Sequence, residues 1–377
     1  MNATWKHPAL LLLVLVAGCG RDQIQRNEPT KLRLATHNYA FRQEHHNAER
    51  LFNGFDYGHS MISHAFMTGA PIEDVEGKLF TRIMRINDHP PRLMPAEEAI
   101  SPHFARAHWR VQNLFDWTHG LHRQINDILS DDSIGDKHAA IEEATDYYLQ
   151  QPMAVHWQWK RMDILMDGQP YSGEFKKSAP KWNGLIWAYH WYQNGVYEPM
   201  MLGRTRSERA IGVEAAAALY HCSRVSVPDR FPTHMPMSWE VAPTFAEMHP
   251  RAAAIFDNLH MLHDITSDVL LSDKVKDKEA ELNRMVDLLQ DSTSYIDDSG
   301  NRGMGPDMKK MDMEMEKEPG VSSGESNEDK HAVSGSEHEG QGDTKQKNLD
   351  MFRGGPGASC ADGLRMNPVA YVPVEAP

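Results

Sequence analysis

The stretch FDWTHGLHRQINDIL, Phe115 to Leu129, has the periodicity of a helix, yet it sets Asp116, His119 and His122 where an apolar stripe should run. A second stretch, FDNLHMLHDITSDVL from Phe256 to Leu270, nearly repeats it, with Asp257, His260 and His263 in the same places. Asp127 in the first is answered by Asp268 in the second. A third stretch, FDYGHSMISHAF from Phe55 to Phe66, shares only the opening Phe-Asp-x-x-His, here Asp56 and His59, followed by His64. Agreement at this many positions points to related helical units.

Working outward, the periodicity stays helical. It predicts helices near 43–67, 72–86, 96–131, 136–150, 182–194, 204–222, 243–272 and 274–291. Breaks fall at His89-Pro90-Pro91, Gln151-Pro152, Asn194-Gly195 and the Pro-rich turn 228–232. Residues 166–182 form a turn-rich loop, and no alternating strand pattern of any length occurs. The expected class is mainly α, an antiparallel helical bundle with long loops. Residues 31–296 form the helical, histidine-rich domain. Residues 297–348 are acidic and rich in Met, Gly and Ser, with too few branched or aromatic residues to bury, so a disordered tail is expected. The last segment, 349–377, regains apolar residues and prolines and reads as extended.

The chain opens MNATWKHPALLLLVLVAGCG, with Lys6 ahead of an apolar run from Ala9 to Ala17. That run is short for a membrane span and has the form of a signal peptide. Val16-Ala17-Gly18-Cys19 resembles the lipobox of bacterial lipoproteins. The resemblance covers only the first twenty or so residues. It implies that 1–18 is a signal peptide, that Cys19 carries a lipid, and that 19–30 is a tether. Gly20 after the cysteine leans toward the outer membrane of a Gram-negative envelope. The membrane is thus one expected partner, through the N-terminal lipid, and an envelope protein met by the tail is another. Of the remaining cysteines, Cys222 and Cys360 either form a disulfide or stay free thiols.

The chemistry rests on the repeated motif. Residues three apart on a helix share a face, so Asp116 with His119 and Asp257 with His260 can each converge on one point. Carboxylate and imidazole from facing helices form a first shell for iron, copper, manganese or zinc. The plan is similar to ferritin-like metal-binding bundles, in which Glu-x-x-His from two helices is joined by a carboxylate from each of two others. Asp stands here for Glu, and bridging glutamates are not obvious, with Glu44, Glu49, Glu143 and Glu214 as candidates. The expected metal ligands are Asp116, His119, Asp257 and His260, with Asp56 and His59 from a third helix. His122 and His263 are further ligands or their supporting partners. Eighteen histidines lie between His37 and His263, a density unusual for a core. His108 falls on the same stripe as His119, whereas His190, in IWAYHWYQ, reads as a packed core residue that would also suit haem.

Two other readings stand beside a transition-metal centre of iron or copper used for redox or metal handling. The histidines are structural in a scaffold lipoprotein, or two of them bind haem b. The run MGPDMKKMDMEMEKE, Met304 to Glu318, adds thioethers of the kind that bind Cu(I), or is simply a solvated tail. No CxxC, CxxCH, Gly-x-Ser-x-Gly, Walker, dinucleotide or His-Glu-x-x-His pattern occurs. A net charge of -14 without a basic cluster lacks the electrostatic footprint for nucleic acid, so none is expected as a partner.

Overall fold

A computed structural model describes residues 38–225 and 231–292. Helix follows helix, and no strand occurs among the described residues. The first half runs α1 (Ala40–Glu44), α2 (His46–Met67), α3 (Ile72–Asp74), a π-helical turn Val75–Leu79, α4 (Phe80–Asp88), α5 (Glu97–Ile100), α6 (Pro102–Ala107), α7 (Trp109–Ser130) and α8 (Lys137–Leu149). A linking helix, α9 (Met162–Leu165), precedes the second half. That half runs α10 (Glu174–Ser178), α11 (Pro180–Gly195), α12 (Tyr197–Leu202), α13 (Arg206–Ser223), α14 (Ser238–Val241), α15 (Pro243–Met248), α16 (Pro250–Leu271) and α17 (Lys278–Gln290). The class is mainly α, a helical bundle. None of the described helices is long and apolar enough to cross a membrane.

The halves repeat one another with the same local chemistry. The quartet α5–α8 matches α14–α17 helix for helix and in length. Asp136 caps α8 by accepting from the Ala139 amide, and Asp277 caps α17 from the Ala280 amide, each at 2.9 Å. Lys137 and Lys278 each donate to the carbonyl of the preceding long helix, at Leu129 and Leu270. The two matched aspartates of the motif also have one job. Asp127 accepts from the amides of Tyr39 and Phe41 at the start of α1, and Asp268 from those of Gly173 and Phe175 at the start of α10. Tyr39 and Gly173 both sit at positive φ there. Across the halves, Arg110 of α7 pairs with Asp287 of α17 at 2.6 Å, and Arg251 of α16 with Asp146 of α8 at 2.5 Å.

The long helices α2, α7, α11 and α16 form the centre, with α16 touching all three others. Close approach is secured by glycine. A Cβ on Gly58 would stand 2.6 Å from the Tyr189 ring, so only hydrogen lets α2 lie against α11 here. Phe55 stacks on Tyr189 at 4.3 Å, and Tyr192 and Tyr220 close the same aromatic group. On the other side Tyr197 stacks on Phe245 and Phe256.

Three predicted helices are interrupted, the span 43–67 at His45 where φ is -131, and the expected loop 166–182 holds the short helix α10. The span 96–131 is broken at Ser101 and His108, and 243–272 at His249, where the backbone leaves helical values (φ -121 and -132). Pro102, Pro243 and Pro250 each open the helix after such a break, since their fixed φ suits a first turn while their missing N–H cannot continue one. The signal peptide, Cys19, the tether, the acidic tail with its methionine run, and residues 349–377 with Cys360 lie outside the described residues. Cys222 is disulfide-bonded.

Candidate metal centre

Six histidines meet where the four long helices cross: His59 from α2, His119 and His122 from α7, His190 from α11, and His260 and His263 from α16. Each is at most 5% exposed. His59 stacks on His263 at 4.0 Å between ring centres, and His190 on His260 at 4.1 Å. His119 lies 5.6 Å from His59 and 5.3 Å from His263, and His122 5.5 Å from His260. The halves are mirrored in these contacts: His119 with His263 and His260 with His122 are equivalent pairs of the repeat.

Buried polar atoms are nearly always satisfied, and these are not. His122 Nδ1 bonds Tyr197 Oη, and His190 Nε2 meets His263 Nδ1 at 3.1 Å. Both ring nitrogens of His59, His119 and His260, Nε2 of His122 and His263, and Nδ1 of His190 have no hydrogen-bond partner, nine nitrogens in all. Burial first, then the neighbouring imidazoles, holds His59, His122, His190, His260 and His263 well below the usual histidine range. Neutral imidazole has a free lone pair, the form that binds a metal. Ligand atoms of His59, His119 and His263 all lie within 4.8 Å of one another, close enough to share one ion.

The expected aspartates are placed differently. Asp257 is buried, but Oδ2 accepts from Trp159 Nε1 at 2.8 Å, and Oδ1 from the Ser238 amide at 2.8 Å and hydroxyl at 2.7 Å. Burial pushes its carboxyl up to about 7 against the pull of those donors. Asp116 accepts from Gln112 at 2.9 Å; burial and the nearby Glu97 hold its carboxyl well above the usual range. Neither belongs to any group of converging donors among the described residues. Asp56 does: its Oδ1 is 3.9 Å from His119 Nδ1, while Oδ2 binds Arg123 at 2.5 Å. Burial raises its carboxyl to about 6, and Arg123 opposes the rise.

Glu97 fills the place sought for a glutamate. Its carboxylate is 3.5 Å from His119 Nδ1 and accepts from Ser60 at 3.1 Å and Gln112 at 3.3 Å. The glutamates expected there lie elsewhere: Glu44 pairs with Arg206, Glu49 with Arg42 and Arg123, and Glu143 and Glu214 are exposed. His108 stays at its helix break, tilted against Phe104. His64 lines a separate cavity of about 650 Å³ with Tyr57, Lys78 and Arg82.

His190 is the member of the histidine cluster that spacing alone did not single out. Its signal is the repeat: it stands as far beyond Phe175 as Asp56 stands beyond Phe41, the two residues capped by Asp268 and Asp127. Tyr189-His190 therefore takes the register of Phe55-Asp56, with both letters of the motif changed. Comparison with protein families, with curated proteins and with solved structures finds no match for this chain.

Proposed function

We propose that this chain is a histidine-ligated dinuclear copper protein used in redox or metal handling. One ion would be held by His59, His119 and His263, whose ligand atoms already converge; the other would draw His122 and His190 in around His260, from whose ring centre theirs lie 5.5 and 4.1 Å. The observation that carries the reading is the set of nine ring nitrogens without a hydrogen-bond partner on six buried imidazoles, of which His119 Nδ1 alone faces carboxylates, Glu97 and Asp56. Leaving a buried polar group unsatisfied costs about 1–3 kcal/mol each, so such a cluster is hard to explain as packing alone.

The donor set favours copper. Imidazole suits copper, zinc, iron and nickel, and copper(II) heads the affinity order. Six neutral donors bring no charge to offset two buried cations. The offset falls to Asp56, Glu97 and Asp116 on one side of the histidine layer, with Arg123 opposing it. Carboxylates crowded in a buried site, two of them raised above their usual range, are groups that a neighbouring cation stabilises. Ring contacts of 4.0 and 4.1 Å leave no slot for a porphyrin between the layers, which favours ions over haem. Copper would supply the electron transfer; the chain's own part is to hold the imidazoles neutral, to orient His122 through Tyr197, and to keep water out.

The lipobox-like start supports a reading in which this activity belongs to the cell envelope, with the chain anchored by lipid on Cys19 and the outer membrane favoured. A disulfide at Cys222 fits an oxidising compartment. The test is elemental analysis, visible absorption and electron paramagnetic resonance of the purified full chain after copper reconstitution. Two copper ions are expected in the histidine layer, with their loss in His260→Ala and His190→Ala. A Soret band, zinc alone, or a folded chain that takes up no metal overturns the proposal.

A further inference from the structure

A second group of donors lies on the surface of the bundle, away from the six histidines. His138 and Glu142 sit one turn apart on α8 and so share a face. His249 marks the break between α15 and α16. The ligand atoms of these three residues lie within 4.8 Å of one another. His249 is buried, at 1% exposure, and its Nδ1 is 3.3 Å from Glu142 Oε1. His138 is exposed, and its ring centre is 4.9 Å from that of His249. Arg251 engages the other oxygen, Glu142 Oε2, at 3.3 Å, which orients the carboxylate and leaves Oε1 toward the histidines.

The internal repeat supplies an independent comparison. The equivalent residues in the other half are His108, Glu279 and Asn283. The surrounding frame is kept: Arg110 reaches Asn283 at 3.5 Å and Asp287 at 2.6 Å, as Arg251 reaches Glu142 and Asp146. Only the donors differ, glutamate for His138 and a neutral amide for Glu142. The arginine clamp thus forms without a metal-binding trio, and the trio is an addition to one half.

We infer that His138, Glu142 and His249 form a second, solvent-accessible site for a divalent cation of the zinc class. Two imidazoles and one carboxylate are a donor set that zinc takes, with the remaining position left to water. Because His249 caps α16, which carries His260 and His263, an ion here staples α8 to the base of that helix. This site does not depend on the reading of the central one.

The probe is zinc, added to the full chain after metal removal, with bound zinc per chain counted by equilibrium dialysis and elemental analysis. His138→Ala and Glu142→Gln are each expected to remove one equivalent and leave the remainder in place. Deleting a ligand should weaken this site by more than the roughly 10–100-fold that losing an outer partner costs. The double substitution Glu279→His with Asn283→Glu, beside the native His108, is expected to add one equivalent. An unchanged zinc count and affinity in His138→Ala overturns the inference. Should that variant not fold, the double substitution decides: a gained equivalent supports the site, and no gain overturns it.

Discussion

Asp257 and His260 stand three residues apart on one helix face, and their surroundings divide the work between them. Asp257 accepts three hydrogen bonds from Trp159 and Ser238, whereas both nitrogens of His260 have no partner. Asp257→Asn leaves one acceptor oxygen where two are needed and turns an N–H toward a donor. It should cost about 1–3 kcal/mol of stability, read by denaturant unfolding, with copper stoichiometry unchanged. His260→Ala should lose copper instead. Copper lost from Asp257→Asn at full stability would reinstate the aspartate as a ligand. The motif made the histidines legible because three copies of a rare spacing repeat in one chain. It grouped Asp116 and Asp257 with them, and the structure gives these two other partners, because spacing gives a face and not a partner. The donors that claim Asp257 come from Trp159 and Ser238, far away in sequence.

At the scale of elements, the long helices followed from periodicity and their ends from proline and glycine punctuation, whereas the short helices α9, α10, α12 and α14 did not follow from either. Nor did the breaks at His108 and His249, since a short helix running into a long one keeps its apolar stripe across the kink. Glu198, in α12, shows how such a start is held. It accepts from the Thr244 amide at 2.9 Å, the Thr244 hydroxyl at 2.6 Å and the Phe245 amide at 3.4 Å, capping α15. Burial drives its carboxyl from 4.5 up to about 7, and the Thr244 and Phe245 donors only partly offset this. The native state therefore binds this proton more tightly than the unfolded chain does. Its contribution is fully present below about 4.5 and is lost as pH rises toward 7, at about 1.4 kcal/mol per pH unit. Glu198→Gln removes that titration. Unfolding free energies of variant and parent, measured in pairs from pH 5 to 7, should diverge in the variant's favour as pH rises. A constant difference over that range would show that Glu198 is ionised throughout.

The described residues form two copies of one helical plan joined at a layer of imidazoles. Reading the repeat from sequence reached the α7 and α16 helices, where the residues themselves are kept. It missed that α2 and α11 are equivalent, because there only the cap and the packing persist while Asp56 has become His190. The consequence is mechanical. Each proposed ion takes ligands from both halves, His59 and His119 with His263, and His122 with His190 and His260, so loading links the halves through four helices. An ion that binds only the folded chain stabilises it by mass action, about 4 kcal/mol at a thousandfold excess over its dissociation constant. Copper-loaded chain should therefore melt well above the metal-free chain, in one transition whose midpoint rises with free copper. His190→Ala removes a donor contributed by α11 and should abolish most of that rise, while His138→Ala, outside the layer, should keep it. Equal melting temperatures with and without copper in the parent chain would mean that the six imidazoles hold the halves together without an ion.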